Sequence, residues 1–167
     1  TIVEVDGVTE GAACTTLLAK EFIDNDSPLI ISNSDQIAAW DSLEFMYKMK
    51  SKNYDGGILC FEATHPKWSF AKTDEEGLVL EVAEKNPISS NATAGVYFWK
   101  HGSDYVKYAE QMITNNVRVN NEFYVCPVYN EAIADNKKIN CHMMETSDMW
   151  GLGTPEDLEY YLANYEN

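Results

Sequence analysis

Apolar positions along the chain fall into two alternating patterns, short unbroken runs and longer stretches at helical spacing. The clearest run is Leu29-Ile30-Ile31-Ser32, which reads as a buried strand and stops at the polar cluster Asn33-Ser34-Asp35-Gln36. Helical spacing then takes over, with Trp40, Leu43, Met46 and Tyr47 on one side, and predicts a helix over 37–52. Upstream, Ile2, Val3 and Val5 read as a strand, and Thr9 to Ala13 open a helix that carries Leu17, Leu18 and Phe22 inward. Downstream, Asp55-Gly56-Gly57 leads into a second apolar strand, Ile58-Leu59-Cys60-Phe61.

The pattern then shifts toward strands. Two strand-like stretches, 68–73 and 78–85, flank Asp74-Glu75-Glu76-Gly77 and predict a hairpin. The run Ala94-Gly95-Val96-Tyr97-Phe98-Trp99 is a further strand, in which the aromatic residues belong to the core and the sheet faces. A helix capped by Ser103 or Asp104 carries Tyr105, Tyr108, Met112 and Ile113, and a helix over 127–135 and a strand over 138–143 follow. The last element has a strong start signal, Thr154 at the N-cap, Pro155 behind it and acids in the first turn. Strands alternating with helices predict one α/β domain over 1–167: a layered, Rossmann-like, mixed but mostly parallel sheet with helices on both faces and a small β-hairpin insertion. The strand at 29–32 is expected at the centre, flanked by those near Ile58 and Ala94.

Charge narrows the partners. The chain carries 27 acidic against 12 basic residues, a net charge of −15, which opposes nucleic acid and anionic membranes. A phosphate group would have to be met locally, by a metal or a few placed lysines. No apolar run reaches the roughly 20 residues of a membrane helix. Cys14, Cys60, Cys126 and Cys141 are scattered without a CxxC pair, as expected of reduced core cysteines in a cytoplasmic protein. His65, His101 and His142 lack the spacing of a zinc site. Because Thr1 falls inside a predicted strand, a further strand and loop are expected upstream.

Asp35, at the carboxyl end of a strand where open α/β sheets bind ligands, is the first candidate for a metal-binding or catalytic group. Its plain alternative is a turn and cap role shared with Asn33 and Ser34. Taken in order, IISNSDQ, GGILCF, EKNP, AGVYFW and MWGLGTPEDL resemble the sugar-phosphate nucleotidyltransferases. That family converts an NTP and a sugar 1-phosphate into an NDP-sugar and pyrophosphate.

The resemblance implies that Asp35 holds Mg²⁺ and is catalytic, and that Glu84 and the catalytic Lys85 bind the sugar and its phosphate. It implies further that Gly95 brings main chain close to the sugar, Gly11 lies near the nucleobase, and Glu122 meets sugar hydroxyls. The partners it implies are an NTP and a sugar 1-phosphate, with a homo-oligomer as a possible assembly. Glu84 and Lys85 have the plain reading of an exposed strand end, and Gly95 that of a bulge. Two departures stand out. The family's glycine-rich, nucleotide-gripping segment is absent, so the 167 residues by themselves are not expected to be active. The family's second metal-binding aspartate is replaced by Gly151, with Asp148 three residues earlier. Alternatives are a metal-dependent glycosyltransferase and a non-catalytic sugar-nucleotide-binding domain.

Overall fold

The structure is a computed structural model and describes residues 1–165. The longest apolar run sets its centre. Strand β6 (Asn91–Trp99) is buried along nearly its whole length, because helices and a second β-ribbon cover both its faces. On one side it pairs antiparallel with β3 (Gly56–Glu62), which pairs parallel with β7 (Ile139–Met143). On the other side its two ends take different partners. Its start meets β4 (Ser69–Thr73) at Phe70↔Ala92, and its end meets β1 (Leu29–Ser32) from Val96 to Trp99. Between those partners the sheet splits, and the gap opens into a cleft.

The hairpin expected between 68 and 85 is present as β4 and β5 (Val79–Glu84), turning through Asp74, whose backbone and side chain bind Leu78 and Glu76. β1, β3, β4 and β7 run one way and β5 and β6 the other. Strands of one direction therefore dominate, as expected, while β6 stands reversed among them and leaves β3·β7 as the parallel ladder.

One face of the sheet is covered by α4 (Gly102–Thr114), α5 (Val128–Ala134) and the short α1 (Ala12–Leu17) and α2 (Lys20–Ile23). Its anchor is Trp99, stacked flat on Tyr129 with ring centroids 4.3 Å apart and planes at 1°. Tyr129 extends its hydroxyl to the carbonyls of Gly57 and Phe98 at 3.1 and 2.8 Å, so its own polar atom is satisfied, whereas the buried Trp99 Nε1 has no hydrogen-bond partner among the described residues. The other face packs Phe45 and Met49 of α3 (Ser42–Ser51) against Phe98.

Several expectations need correction. The strand at 29–32 is not central. Leu29 and Ile31 turn inward while Ile30 is 43% exposed, because β1 lies beside one end of β6. Four apolar residues are too few to distinguish a two-sided strand from a one-sided one. Residues 1–8 carry no regular structure and expose Ile2 and Val8. Leu17 packs inward, but Leu18 and Phe22 are both 47% exposed, since the helix breaks into α1 and α2.

The helix expected over 37–52 is shorter. Residues Gln36–Ala38 form β2, paired antiparallel with β8 (Met149–Gly151), and Asp41 caps α3 by accepting the N–H groups of Leu43 and Glu44. That shift turns Phe45 and Met49 inward and leaves Leu43 and Tyr47 exposed. The final helix, α6 (Pro155–Asn164), starts as expected with Thr154 as its cap. No helix among the described residues is long and apolar enough to cross a membrane.

Candidate active site

The cleft at the split in the sheet has a volume of about 830 Å³, in the range that takes a nucleotide-sized ligand. The β1–β2 turn brings Asp35 to one wall, and the end of β5 brings Glu84 and Lys85 to another. Asp35 and the adjacent Glu84 and Lys85, all singled out by the sequence, thus share one cavity although they come from separate parts of the sheet.

Glu84 forms the deep part of the site. It is 9% exposed and accepts a hydrogen bond from Ser69 Oγ on the neighbouring strand. Burial pushes its pKa above the usual carboxylate range, and the Ser69 hydroxyl and the Lys85 ammonium partly oppose the shift. A carboxyl group so placed is a natural acceptor for sugar hydroxyls. Below it, Thr93 and Tyr97 are hydrogen-bonded at 3.0 Å, and Cys126, whose thiol burial pushes up, lines the same floor.

Lys85 stands directly after it with φ +53°, the one left-handed residue among the described non-glycines that is not an asparagine. Holding a lysine there costs about 1–2 kcal/mol. The conformation turns the side chain away from the strand and into the cleft, where Nζ donates to Tyr124 Oη at 2.8 Å and lies 4.8 Å from the ring centroid. The Tyr124 contact raises its pKa, so the ammonium is kept charged. Strain of this kind tends to collect where a side chain must be aimed.

Asp35 is exposed on the cleft wall. Its backbone carbonyl accepts the N–H of Leu152 at 2.8 Å, which ties the β1–β2 turn to the segment before α6. No group of three or more His, Cys, Asp or Glu side chains poised for a metal occurs among the described residues. A lone carboxylate on an open wall suits Mg²⁺, which commonly takes one or two carboxylates and completes its shell with water and substrate phosphates. It does not suit a metal caged wholly by protein.

Gly95, Gly11 and Glu122 are placed differently. Gly95, with φ +65°, lies behind the cleft wall, where an added Cβ would come within 2.6 Å of Gln36 Oε1 and 2.7 Å of Asn33 Nδ2. It makes room for the turn that carries Asp35, and its carbonyl accepts the Asn33 N–H at 2.9 Å. Gly11, with φ +123°, packs against the Phe123 backbone, and its neighbour Ala12 lines the cleft. Glu122 does not line the cavity, although its charge is felt at both Glu84 and Lys85. Gly151 is filled from outside, since a Cβ there would lie 2.9 Å from the Trp68 ring. Asp148 does not line the cavity.

Sequence reasoning missed Ser69, Tyr124, Trp68, Lys67 and Asp157, all of which line the cleft. Lys67, from the loop before β4, and Asp157, from α6, pair at 2.5 Å in its lining. The Lys-Trp step at 67–68, a cation and an aromatic just ahead of a strand, was the available signal.

Fold and cleft together define a class. The sequence matches the nucleotidyl transferase family over residues 2–167, and the chain belongs to that family. Among solved structures it is similar to a nucleoside-diphosphate-sugar pyrophosphorylase from Vibrio cholerae RC9, at 25% identity and TM-score 0.81, over 96% of this chain and 68% of that one. A putative glucose-1-phosphate thymidylyltransferase from Bacillus anthracis, in complex with a sucrose, is 17% identical with TM-score 0.75, covering 98% of this chain and 65% of that one. A UDP-glucose pyrophosphorylase complexed with UDP-glucose is 18% identical with TM-score 0.70, covering 95% and 64%. These last two likenesses concern the fold alone. The chain spans about two thirds of the length of each. No protein of curated function matches it.

Proposed function

We propose that the protein transfers a nucleotidyl group from an NTP to a sugar 1-phosphate in the cytoplasm, giving an NDP-sugar and pyrophosphate for polysaccharide biosynthesis. The observation that carries this reading is the sequence-adjacent pair Glu84 and Lys85 facing the same cleft as Asp35, one buried and the other held in a strained conformation. In the transfer, a phosphate oxygen of the sugar 1-phosphate bonds to the α-phosphorus of the NTP. The bond from that phosphorus to the bridging oxygen breaks, and pyrophosphate leaves.

Glu84 accepts hydrogen bonds from sugar hydroxyls and fixes the ring at the floor of the cleft. Lys85 binds the sugar's phosphate and aims it, a positioning effect that accounts for much of the catalysis in phosphoryl transfer. Asp35 is the protein ligand for Mg²⁺, which when bound offsets the negative charge of the phosphates. Residues 1–167 form a single nucleotidyltransferase-like domain in this reading. The triphosphate would be gripped by a glycine-rich segment that these 167 residues do not contain, so they are inactive by themselves and turnover is measured on the full gene product.

The test is pyrophosphate release by that protein across a range of Mg²⁺ concentrations. Asp35→Asn keeps the shape of the side chain but removes its charge, and is expected to lower kcat by on the order of a thousandfold. Near-normal turnover of Asp35→Asn at saturating Mg²⁺ refutes the role assigned to Asp35. Release of a nucleoside diphosphate instead of pyrophosphate identifies a glycosyltransferase, and tight binding of NDP-sugar without turnover identifies a non-catalytic domain.

A further inference from the structure

We propose that Lys67 is a second phosphate-binding cation of the cleft, held in reserve by Asp157, whose carboxylate is displaced when an anion enters. The inference rests on the nucleotidyl-transfer reading for the identity of the anion, a phosphate or pyrophosphate group. Lysine side chains line the cleft at two places, Lys85 at the end of β5 and Lys67 in the loop before β4. In a chain of net charge −15, a pocket for a polyanion must gather its positive charge locally.

The two lysines are held in contrasting ways. Lys85 rests on a neutral phenol and, among the described residues, makes no ion pair. Lys67 Nζ lies 2.5 Å from Oδ1 of Asp157, which is on the first turn of α6. The lysine is already aimed. Its ammonium is 4.7 Å from the centroid of the Trp68 ring, and that ring is fixed edge-on against Phe61 at 5.2 Å and against Gly151.

Asp157, for its part, does not depend on the lysine alone. Its other oxygen accepts the Thr154 hydroxyl at 2.9 Å, and it sits at the N-terminal end of a ten-residue helix, where a negative charge is favoured. An incoming phosphate can therefore take the Lys67 ammonium without stranding the Asp157 charge. Both side chains are partly exposed, 38% for Lys67 and 23% for Asp157, so the exchange needs no unfolding. The pair acts as a competitor built into the site. It occupies the cation until an anion of higher charge density arrives, which discriminates phosphates from weaker anions.

The experiment is calorimetric titration of the full-length protein with inorganic pyrophosphate, without Mg²⁺ and at low salt. Thermal melting of each variant is measured in parallel. Lys67→Met is expected to weaken binding by about tenfold or more, the loss of one charge-assisted contact. Asp157→Asn is expected to strengthen binding several-fold, because the competitor is neutralised while the Thr154 hydroxyl keeps an oxygen to bind. The double variant should resemble Lys67→Met. Pyrophosphate binding that is undetectable in the unaltered protein, or unchanged or weaker in Asp157→Asn, overturns the proposal. So does a fall in melting temperature in both variants with affinity unchanged, which would make the pair a structural tie. Because the titration needs no turnover, a failed activity assay with this binding pattern intact refutes the transferase reading and leaves the exchange standing.

Discussion

The Asp35 carboxylate occupies the space that a side chain at position 153 would fill: a Cβ on Gly153 would lie 2.9 Å from Asp35 Oδ2. The proposed metal ligand and the Gly-Thr-Pro turn before α6 are thereby in direct contact, with the Leu152 N–H bonded to the Asp35 carbonyl beside it.

Gly153→Ala should separate fold from function. The atom it meets is the tip of a flexible side chain, so stability should fall by less than about 1 kcal/mol. The carboxylate must swing aside, however, and the Mg²⁺ concentration giving half-maximal pyrophosphate release should rise several-fold. Thermal melting and a metal titration on the same preparations check both halves.

Gly95→Ala should act through the backbone. Its φ of +65° disfavours any Cβ, and that Cβ would meet Gln36 and Asn33 within 2.7 Å. Left-handed strain and overpacking together are expected to cost at least about 2 kcal/mol. Urea denaturation gives the loss. The damage should reach the site as well, because the residues pushed aside flank Asp35.

Glu84→Gln tests the buried carboxyl. Burial raises the folded-state pKa of Glu84 above its unfolded value, so the folded state holds that proton more tightly. The group's favourable contribution is complete below the ordinary carboxylate pKa of about 4.3 and is lost as pH rises through the folded value. Glutamine cannot ionise and still accepts from the Ser69 hydroxyl. The melting temperatures of the two proteins should therefore lie close together in acid, and the variant should pull ahead as pH rises toward neutrality. A lead that is largest in acid would contradict the raised pKa.

Lys85→Gly and Lys85→Ala should weaken sugar-phosphate binding alike, by about tenfold or more in KM if one charge-assisted contact is lost. They should differ in stability. Alanine inherits the φ of +53°, whereas glycine adopts it freely. The glycine variant is expected to be the more stable by up to about 1 kcal/mol, as read from denaturant midpoints. Equal midpoints would mean that the strain is no larger than the extra unfolded-state entropy that glycine brings.

Local rules determined a large share of the molecule. The hairpin around Asp74, the cap at Thr154, the inward face of α4 and the buried strand ending at Trp99 all follow from nearby residues, so the sequence displays them directly. The motif string around Asp35, Glu84 and Lys85 was legible for the same reason, as short runs in a fixed order. Pairing between distant segments was not. Gln36–Ala38 is a strand because Met149–Gly151 lies beside it, and helical spacing over 37–52 carries no trace of that partner. Ile30 is exposed because β6 lends β1 only one of its ends, which no feature of Leu-Ile-Ile-Ser encodes. Nor does any local pattern join Lys67 to Asp157, 90 residues further on, or set the Trp68 ring against Gly151. Helix capping and turn formation depend on residues a few positions apart. The cleft depends on a sheet that splits between two strands, and its inner surface exists only once distant segments have packed together.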